Sequence, residues 1–186
     1  MYKGEPLDAP LTSFGARKPM LDKLFRKQPQ KTEPPRVQSS QPAEVPYDPG
    51  LIAALTQQHR DLTVLLVKAS SASQQSRYDE VKGALAQFRA ALTEHLKRES
   101  AQLHPYLTAH LKGEDSREVL KDMRSNYIRV EQSVEGFLNH YSGYPVSDVN
   151  ADRFEAELEG VSEEFCEEIE KEEAAFYTLY LPPDAY

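Results

Sequence analysis

The sequence predicts an all-α protein: a four-helix bundle with up-down-up-down topology that follows a disordered N-terminal tail. Four long segments carry apolar residues at steps of three or four, as the buried face of an amphipathic helix requires. Two of these segments align with the other two, so that the chain contains a repeated helical hairpin. Short connections between long helices favour antiparallel neighbours, which makes the bundle the simplest architecture.

The tail is predicted over residues 1–46. It has eight Lys/Arg against five Asp/Glu and eight of the thirteen prolines, and it buries too little apolar surface to offset the entropy of ordering it. Its segment 19–27, PMLDKLFRK, would form a short amphipathic face. That face could dock in a partner protein's groove or contact an acidic surface; the alternative is a solvated tail with a few incidental apolar residues.

Composition excludes several classes of protein. The net charge of −8 argues against nucleic-acid binding, and no apolar run approaches the length that spans a membrane. The N-terminus lacks the basic and apolar regions of a secretory signal, and the single Cys166 cannot form an internal disulfide. We therefore expect a cytoplasmic protein with one domain, over residues 47–182, besides the tail.

The first predicted hairpin places two histidines and a glutamate on its inward face. Helix 1 is expected to begin near Asp48, and His59 lies on its apolar stripe between leucines. After the Ser/Gln-rich break at 70–76, helix 2 continues the pattern, but His95 and Glu99 occupy two of its inward steps. Pro105 should kink or end this helix. Its apolar stripe consists of Val81, Leu85, Phe88, Leu92, Leu103 and Tyr106.

The second predicted hairpin places carboxylates at the corresponding level. Helix 3 is expected from about Ser116 to Tyr141 with Glu131 inward, and helix 4 from Asn150 to about Tyr180 with Glu168 and Glu172 inward. Because helix 4 is rich in glutamate, a small rotation would instead turn Ile169 inward. Tyr127 faces the same level and is open to three roles: metal ligand, hydrogen-bond donor or core residue.

The internal repeat supports this arrangement. Residues 94–107 align without a gap with residues 167–180, which matches His95 with Glu168 and Glu99 with Glu172. Residues 59–66 align with residues 131–138, which matches His59 with Glu131. Two similar hairpins that face each other would bring six side chains to one level of the core. These are His59, His95, Glu99, Glu131, Glu168 and Glu172.

Two imidazoles and four carboxylates are the ligand count of a dinuclear metal site in a helical bundle. Hard oxygen donors with a minority of imidazoles suit iron or manganese better than copper or structural zinc. A metal-free bundle for interaction or regulation, with these groups in a polar network, is the alternative. A phosphotransfer bundle would need an exposed histidine, whereas His59 is predicted inward. The remaining histidines, His104, His110 and His140, are expected at the surface or at helix ends.

The residues that carry the metal-site pattern also resemble the hemerythrin-like (HHE cation-binding) family. The resemblance covers about residues 48–180 and rests on His59, the His-x-x-x-Glu of His95 and Glu99 followed by LHPYL, and the EIEKEE run of helix 4. It implies a non-haem di-iron centre that binds O2 or senses oxygen, nitric oxide or iron, as in bacterial-type sensors. The family would have histidines on helices 3 and 4 where this chain has Glu131, or Tyr127 one turn before it, and Glu168. That exchange favours redox sensing or ferroxidase-like oxidation over reversible O2 carriage.

Overall fold

The computed structural model describes residues 45–186, which form an all-helical four-helix bundle with no strand in that range. The first bundle helix is α1, Leu51–Gln74. The second runs through α2, Tyr78–Arg98, a π-helical turn, Glu99–Leu103, and α3, His104–His110. The third is α4, Glu114–Gly143. The fourth comprises α5, Ala151–Lys171, a second π-helical turn, Glu172–Phe176, and a 3₁₀ turn, Tyr177–Leu179; a final 3₁₀ turn is Pro183–Ala185.

The predicted fold class is therefore confirmed, and the helix ends differ by a few residues. The N-cap of α1 is Gly50, whose amide donates to the Asp48 side chain at 2.9 Å. The Ser/Gln-rich break is mostly helical, because Ala72 and Ser73 pack in the core and the turn begins only at Gln75. The predicted tail, including segment 19–27, lies outside the described residues except for its last two positions, 45 and 46.

Each of the two π-helical turns begins at an inward glutamate, Glu99 or Glu172. These are the two positions that the internal repeat aligns with each other. A π-turn inserts about one extra residue, so it shifts which side chains face inward beyond it. Pro105 is the second residue after the first π-turn, and the helix continues past it to His110. The two hairpins therefore share the same local deformation at the same level of the bundle.

The core consists of two apolar clusters with a polar layer between them. One cluster includes Leu62, Leu92, Val134 and Phe165, and it extends toward the end that holds the α1–α2 turn. The other includes Leu51, Leu55, Leu103, Met123 and Phe176. The six predicted site residues are distributed over the four bundle helices. Along each helix they lie between a residue of one cluster and a residue of the other. Apolar layers thus close the polar layer from both sides.

Among the helices of residues 45–186, none is long and apolar enough to cross a membrane.

Phe154 provides a test of the packing. Its side chain is fully buried, with the ring 5.8 Å from that of Phe137 and 4.9 Å from that of Tyr141. Phe154→Ala should lower the free energy of unfolding by about 3–5 kcal/mol, because it removes buried area and leaves a cavity. Val67→Ala, at a position that is 64% exposed, is the control and should change it by less than about 0.5 kcal/mol. Equal effects of the two variants in urea titrations would contradict the described core.

Candidate metal centre

The six side chains predicted to face inward are all buried. Their exposed fractions are 2% for His59, 3% for His95, 1% for Glu99, 5% for Glu131, 4% for Glu168 and 8% for Glu172. Ile169 is only partly buried, so helix 4 turns its carboxylates rather than this isoleucine into the core. Burying an ionisable group without a partner is unfavourable by several kcal/mol, roughly, so this layer requires compensation.

Four of the six residues form a tight cluster: His59, His95, Glu99 and Glu172. One ligand atom from each lies within 4.8 Å of all the others. The two Nε2 atoms of His59 and His95 are 3.2 Å apart, and Oε2 of Glu172 lies 3.3 Å from Nε2 of His59. Two ligands about 2.1 Å from one ion are separated by about 3.0–3.4 Å. The observed spacings are therefore compatible with a cation held between these groups.

The outer ring nitrogens of both histidines are held by oxygen atoms. Nδ1 of His59 is 2.8 Å from Oε1 of Glu173, and Nδ1 of His95 is 3.3 Å from Oε1 of Gln58. An ionised carboxylate and an amide oxygen only accept, so each Nδ1 carries the proton and donates it. Both Nε2 lone pairs then point into the cluster. Histidines that bind metals commonly show this pattern, with the second ring nitrogen donating to an oxygen.

Tyr177 completes the cluster. Its hydroxyl donates to Oε1 of Glu99 at 2.9 Å and lies 3.2 Å from Nε2 of His59. Its ring stacks on the His59 ring, with the two centroids 5.5 Å apart. The sequence pattern did not place Tyr177 on the inward face of helix 4. The reason is the second π-turn, which brings the residue five positions after Glu172 to face the core.

The other two predicted residues, Glu131 and Glu168, are not in the four-residue cluster, but they border a cavity next to it. His59, His95, Glu172 and Tyr127 line the same cavity, which has about 30 Å³ of room for the centre of a water-sized molecule. Both carboxylate oxygens of Glu131 and both of Glu168 are buried without a hydrogen-bond partner among the described residues, as is Oε2 of Glu99. Buried polar atoms are normally paired, so these five oxygens make this level of the core a candidate cation-binding site.

The ionisation of the site follows from this burial. Burial, with Glu168 and Glu173 adding to it, raises the pKa of Glu172 to about 8. Burial and the neighbouring Glu172 raise the pKa of Glu99 well above its usual range, and burial with Glu135 raises that of Glu131 to about 7. Burial lowers the pKa of His95 to about 3, with His59 adding to the effect. A bound cation would reverse the carboxylate shifts, because it favours the ionised form.

The remaining histidines lie outside the cluster. Nδ1 of His110 donates to the Tyr106 carbonyl oxygen at 2.9 Å, because a carbonyl oxygen only accepts. His104 is half-buried rather than at the surface, with its ring against that of Tyr127 at a centroid distance of 5.7 Å. Cys166 is partly buried and is not in the four-residue cluster. The donor set is therefore oxygen and imidazole nitrogen, which fits a hard or borderline cation such as iron or manganese.

Comparison with known proteins agrees with the sequence resemblance. A sequence model of the family described as the hemerythrin HHE cation binding domain matches residues 50–180, about seven-tenths of the chain. No curated protein and no solved structure matches the chain significantly.

Glu173 offers a test of the outer contacts. Glu173→Ala should weaken binding of Mn²⁺ by about 10- to 100-fold, because His59 loses the acceptor that holds its Nδ1 proton. Glu173→Gln keeps an acceptor oxygen and should retain most of the affinity. The exposed Glu170→Ala is the control and should bind like the wild type. Competition with a chromophoric chelator measures the affinity, and an unchanged Glu173→Ala would contradict a role in orienting His59.

The pKa shifts predict how the metal-free protein responds to pH. The folded chain keeps the Glu172 proton up to about pH 8, whereas the unfolded chain releases it near 4.5, so stability falls as pH rises through that window. His95 has the opposite effect, but only below its ordinary pKa of 6.5. Between pH 6.5 and pH 8, the melting temperature in EDTA should therefore decrease.

Glu172→Gln should flatten this decrease, and the exposed Glu170→Gln should leave it unchanged. A melting temperature that rises over the same range in the metal-free wild type would mean that the buried carboxylates do not hold protons in the fold.

Proposed function

Because the chain belongs to the hemerythrin HHE cation-binding domain family, we propose that its bundle holds a dinuclear non-haem iron centre and binds or senses O2 or a related small oxidant. Manganese is the alternative metal. The proposed ligands are His59, His95, Glu99, Glu131, Glu168 and Glu172. Iron would supply a reversible change of oxidation state and an affinity for small oxidants, which none of the side chains has by itself.

The observation that carries the proposal is the convergence of two imidazole lone pairs. Nε2 of His59 and Nε2 of His95 face each other at 3.2 Å, while both Nδ1 protons are used by Glu173 and Gln58. Two lone pairs at this distance repel unless a positive charge lies between them. The carboxylates of Glu99 and Glu172 approach the same point, which makes a cation more favourable there than a single proton.

Charge balance supports two ions rather than one. Glu99, Glu131, Glu168 and Glu172 would together contribute four negative charges when ionised, in an interior that stabilises charge poorly. Two divalent ions neutralise them. The four-residue cluster accounts for one ion, and the unpaired oxygens of Glu131 and Glu168, across the shared cavity, would serve the second.

The size of the cavity bears on the kind of activity. The 30 Å³ of room for the centre of a water-sized molecule is enough for a water molecule or another small ligand. The four carboxylates favour the ferric state, so we infer sensing or oxidation of iron itself rather than reversible O2 carriage. Communication with a partner protein would use segment 19–27, a proposal that rests on the sequence alone.

Metal analysis of the protein tests the proposal. Protein expressed with ample iron and purified without chelators or a histidine tag should contain about two iron atoms per chain. His95→Ala and Glu99→Gln should each lose most of this iron and melt at a lower temperature than the loaded wild type. The control is His140→Ala, which changes a half-buried histidine outside the cluster and should keep full iron content.

The alternative, a metal-free interaction bundle, makes different predictions. Its iron content would be near zero, and a chelator would leave the melting temperature unchanged. Full iron content in both His95→Ala and Glu99→Gln would show that iron binds elsewhere and would overturn the proposed ligand set.

A further inference from the structure

We infer that the Tyr127 hydroxyl is the hydrogen-bond donor to a small ligand bound in the cavity, and that it selects ligands that accept a hydrogen bond. The inference rests on the proposed metal site, which would anchor such a ligand. It assigns Tyr127 one of the three roles that its sequence position allowed.

The hydroxyl of Tyr127 is buried and unpaired. The residue is 6% exposed, it lines the cavity, and its oxygen has no hydrogen-bond partner among the described residues. A buried hydroxyl without a partner destabilises a protein, and a phenylalanine would fill the same space without that penalty. Because Tyr127 lines the cavity, a ligand bound there would be the missing hydrogen-bond partner of its hydroxyl.

The other buried tyrosines in residues 45–186 make this contrast clear, because each of their hydroxyls has a protein partner. Tyr106 donates to the Leu181 carbonyl, Tyr141 to Glu157 and Tyr177 to Glu99, and Tyr180 accepts from the Asp48 amide. The fold therefore satisfies tyrosine hydroxyls wherever protein groups can do so. Tyr127 differs in that its hydroxyl has no protein partner among the described residues, although the residue lines the cavity.

The rest of the polar cavity lining cannot donate to a ligand. With a cation bound, Glu131, Glu168 and Glu172 are ionised and only accept, and the Nε2 lone pairs of His59 and His95 face the cation. The phenol of Tyr127 is then the donor that the lining offers. A phenolate at this point would add a fifth negative charge to four carboxylates, which disfavours Tyr127 as a metal ligand.

The ring of Tyr127 is held in place, so its hydroxyl has a defined direction. It packs edge-on against the His104 ring at 5.7 Å with an interplanar angle of 83°. Ligands such as O2, nitric oxide or azide can accept its proton and fit the small cavity. A ligand that only donates, such as ammonium, would leave that proton unpaired and face further donors.

The test compares Tyr127→Phe with Tyr177→Phe, since both remove one buried hydroxyl near the same cluster. Iron-loaded ferric protein is titrated with azide and followed by absorption. Tyr127→Phe should keep full iron content and bind azide about three- to tenfold more weakly, the contribution of one hydrogen bond. Tyr177→Phe should instead lower the iron content, because Glu99 loses its donor.

A second measurement needs no metal. In chelator-treated protein, Tyr127→Phe should raise the melting temperature by about 2–4 °C, because an unpaired buried hydroxyl is removed. Tyr177→Phe should lower it. A lower melting temperature for Tyr127→Phe would reveal a protein partner for its hydroxyl and overturn the inference.

Two other results would also overturn it: unchanged azide affinity in iron-loaded Tyr127→Phe, or loss of iron from that variant, which would indicate a ligand role. Wild-type protein that binds iron but no azide would equally count against it. Absence of iron from the wild type would overturn the proposed function and, with it, this inference. Normal iron content with unchanged azide affinity in Tyr127→Phe would overturn this inference alone, so the two failures are distinguishable.

Discussion

The structure depends on the burial of four carboxylates and two imidazoles in one layer of a helical core. The layer lies between two apolar clusters and is buried, so ionised groups within it need partners there. Protein groups supply part of this compensation, through Tyr177, Glu173 and Gln58. Five carboxylate oxygens remain without a partner. A cation bound as we propose would pair with these oxygens and with the two facing imidazole nitrogens at once.

The π-helical turns connect this constraint to the fold. Each begins at a ligand-type glutamate, and the two glutamates are equivalent in the internal repeat. In the fourth bundle helix, the turn lets Glu168 and Glu172 face inward together with Tyr177, which a regular helix of 3.6 residues per turn would direct elsewhere. The contacts of Tyr177 with Glu99 and His59 thus depend on a local departure from helical geometry. Such departures are frequent at functional sites.

Periodicity explains why much of the architecture could be predicted. The steps of three and four identified the four bundle helices and the inward positions of His59, His95 and Glu99, and the repeat alignment extended the pattern to Glu131. Tyr177 could not be found in this way, because the pattern assumes an unbroken helix. Glu173 and Gln58 neighbour inward residues and resemble surface positions, so no sequence signal separates them from the many other polar residues. Four of the six residues cluster and the other two glutamates border the cavity because of how the helices pack in three dimensions, which the sequence pattern does not specify.

Anomalous diffraction from crystals of the iron-loaded protein, with data collected on both sides of the iron absorption edge, tests the central claim most directly. We expect a strong anomalous peak between Nε2 of His59 and Nε2 of His95, and a second peak toward Glu131 and Glu168. A core without any anomalous peak, or peaks confined to the exposed glutamates of α5, would contradict it. In that case the buried layer would be a proton-sharing network, and the facing imidazoles would be joined by a proton instead of a metal ion.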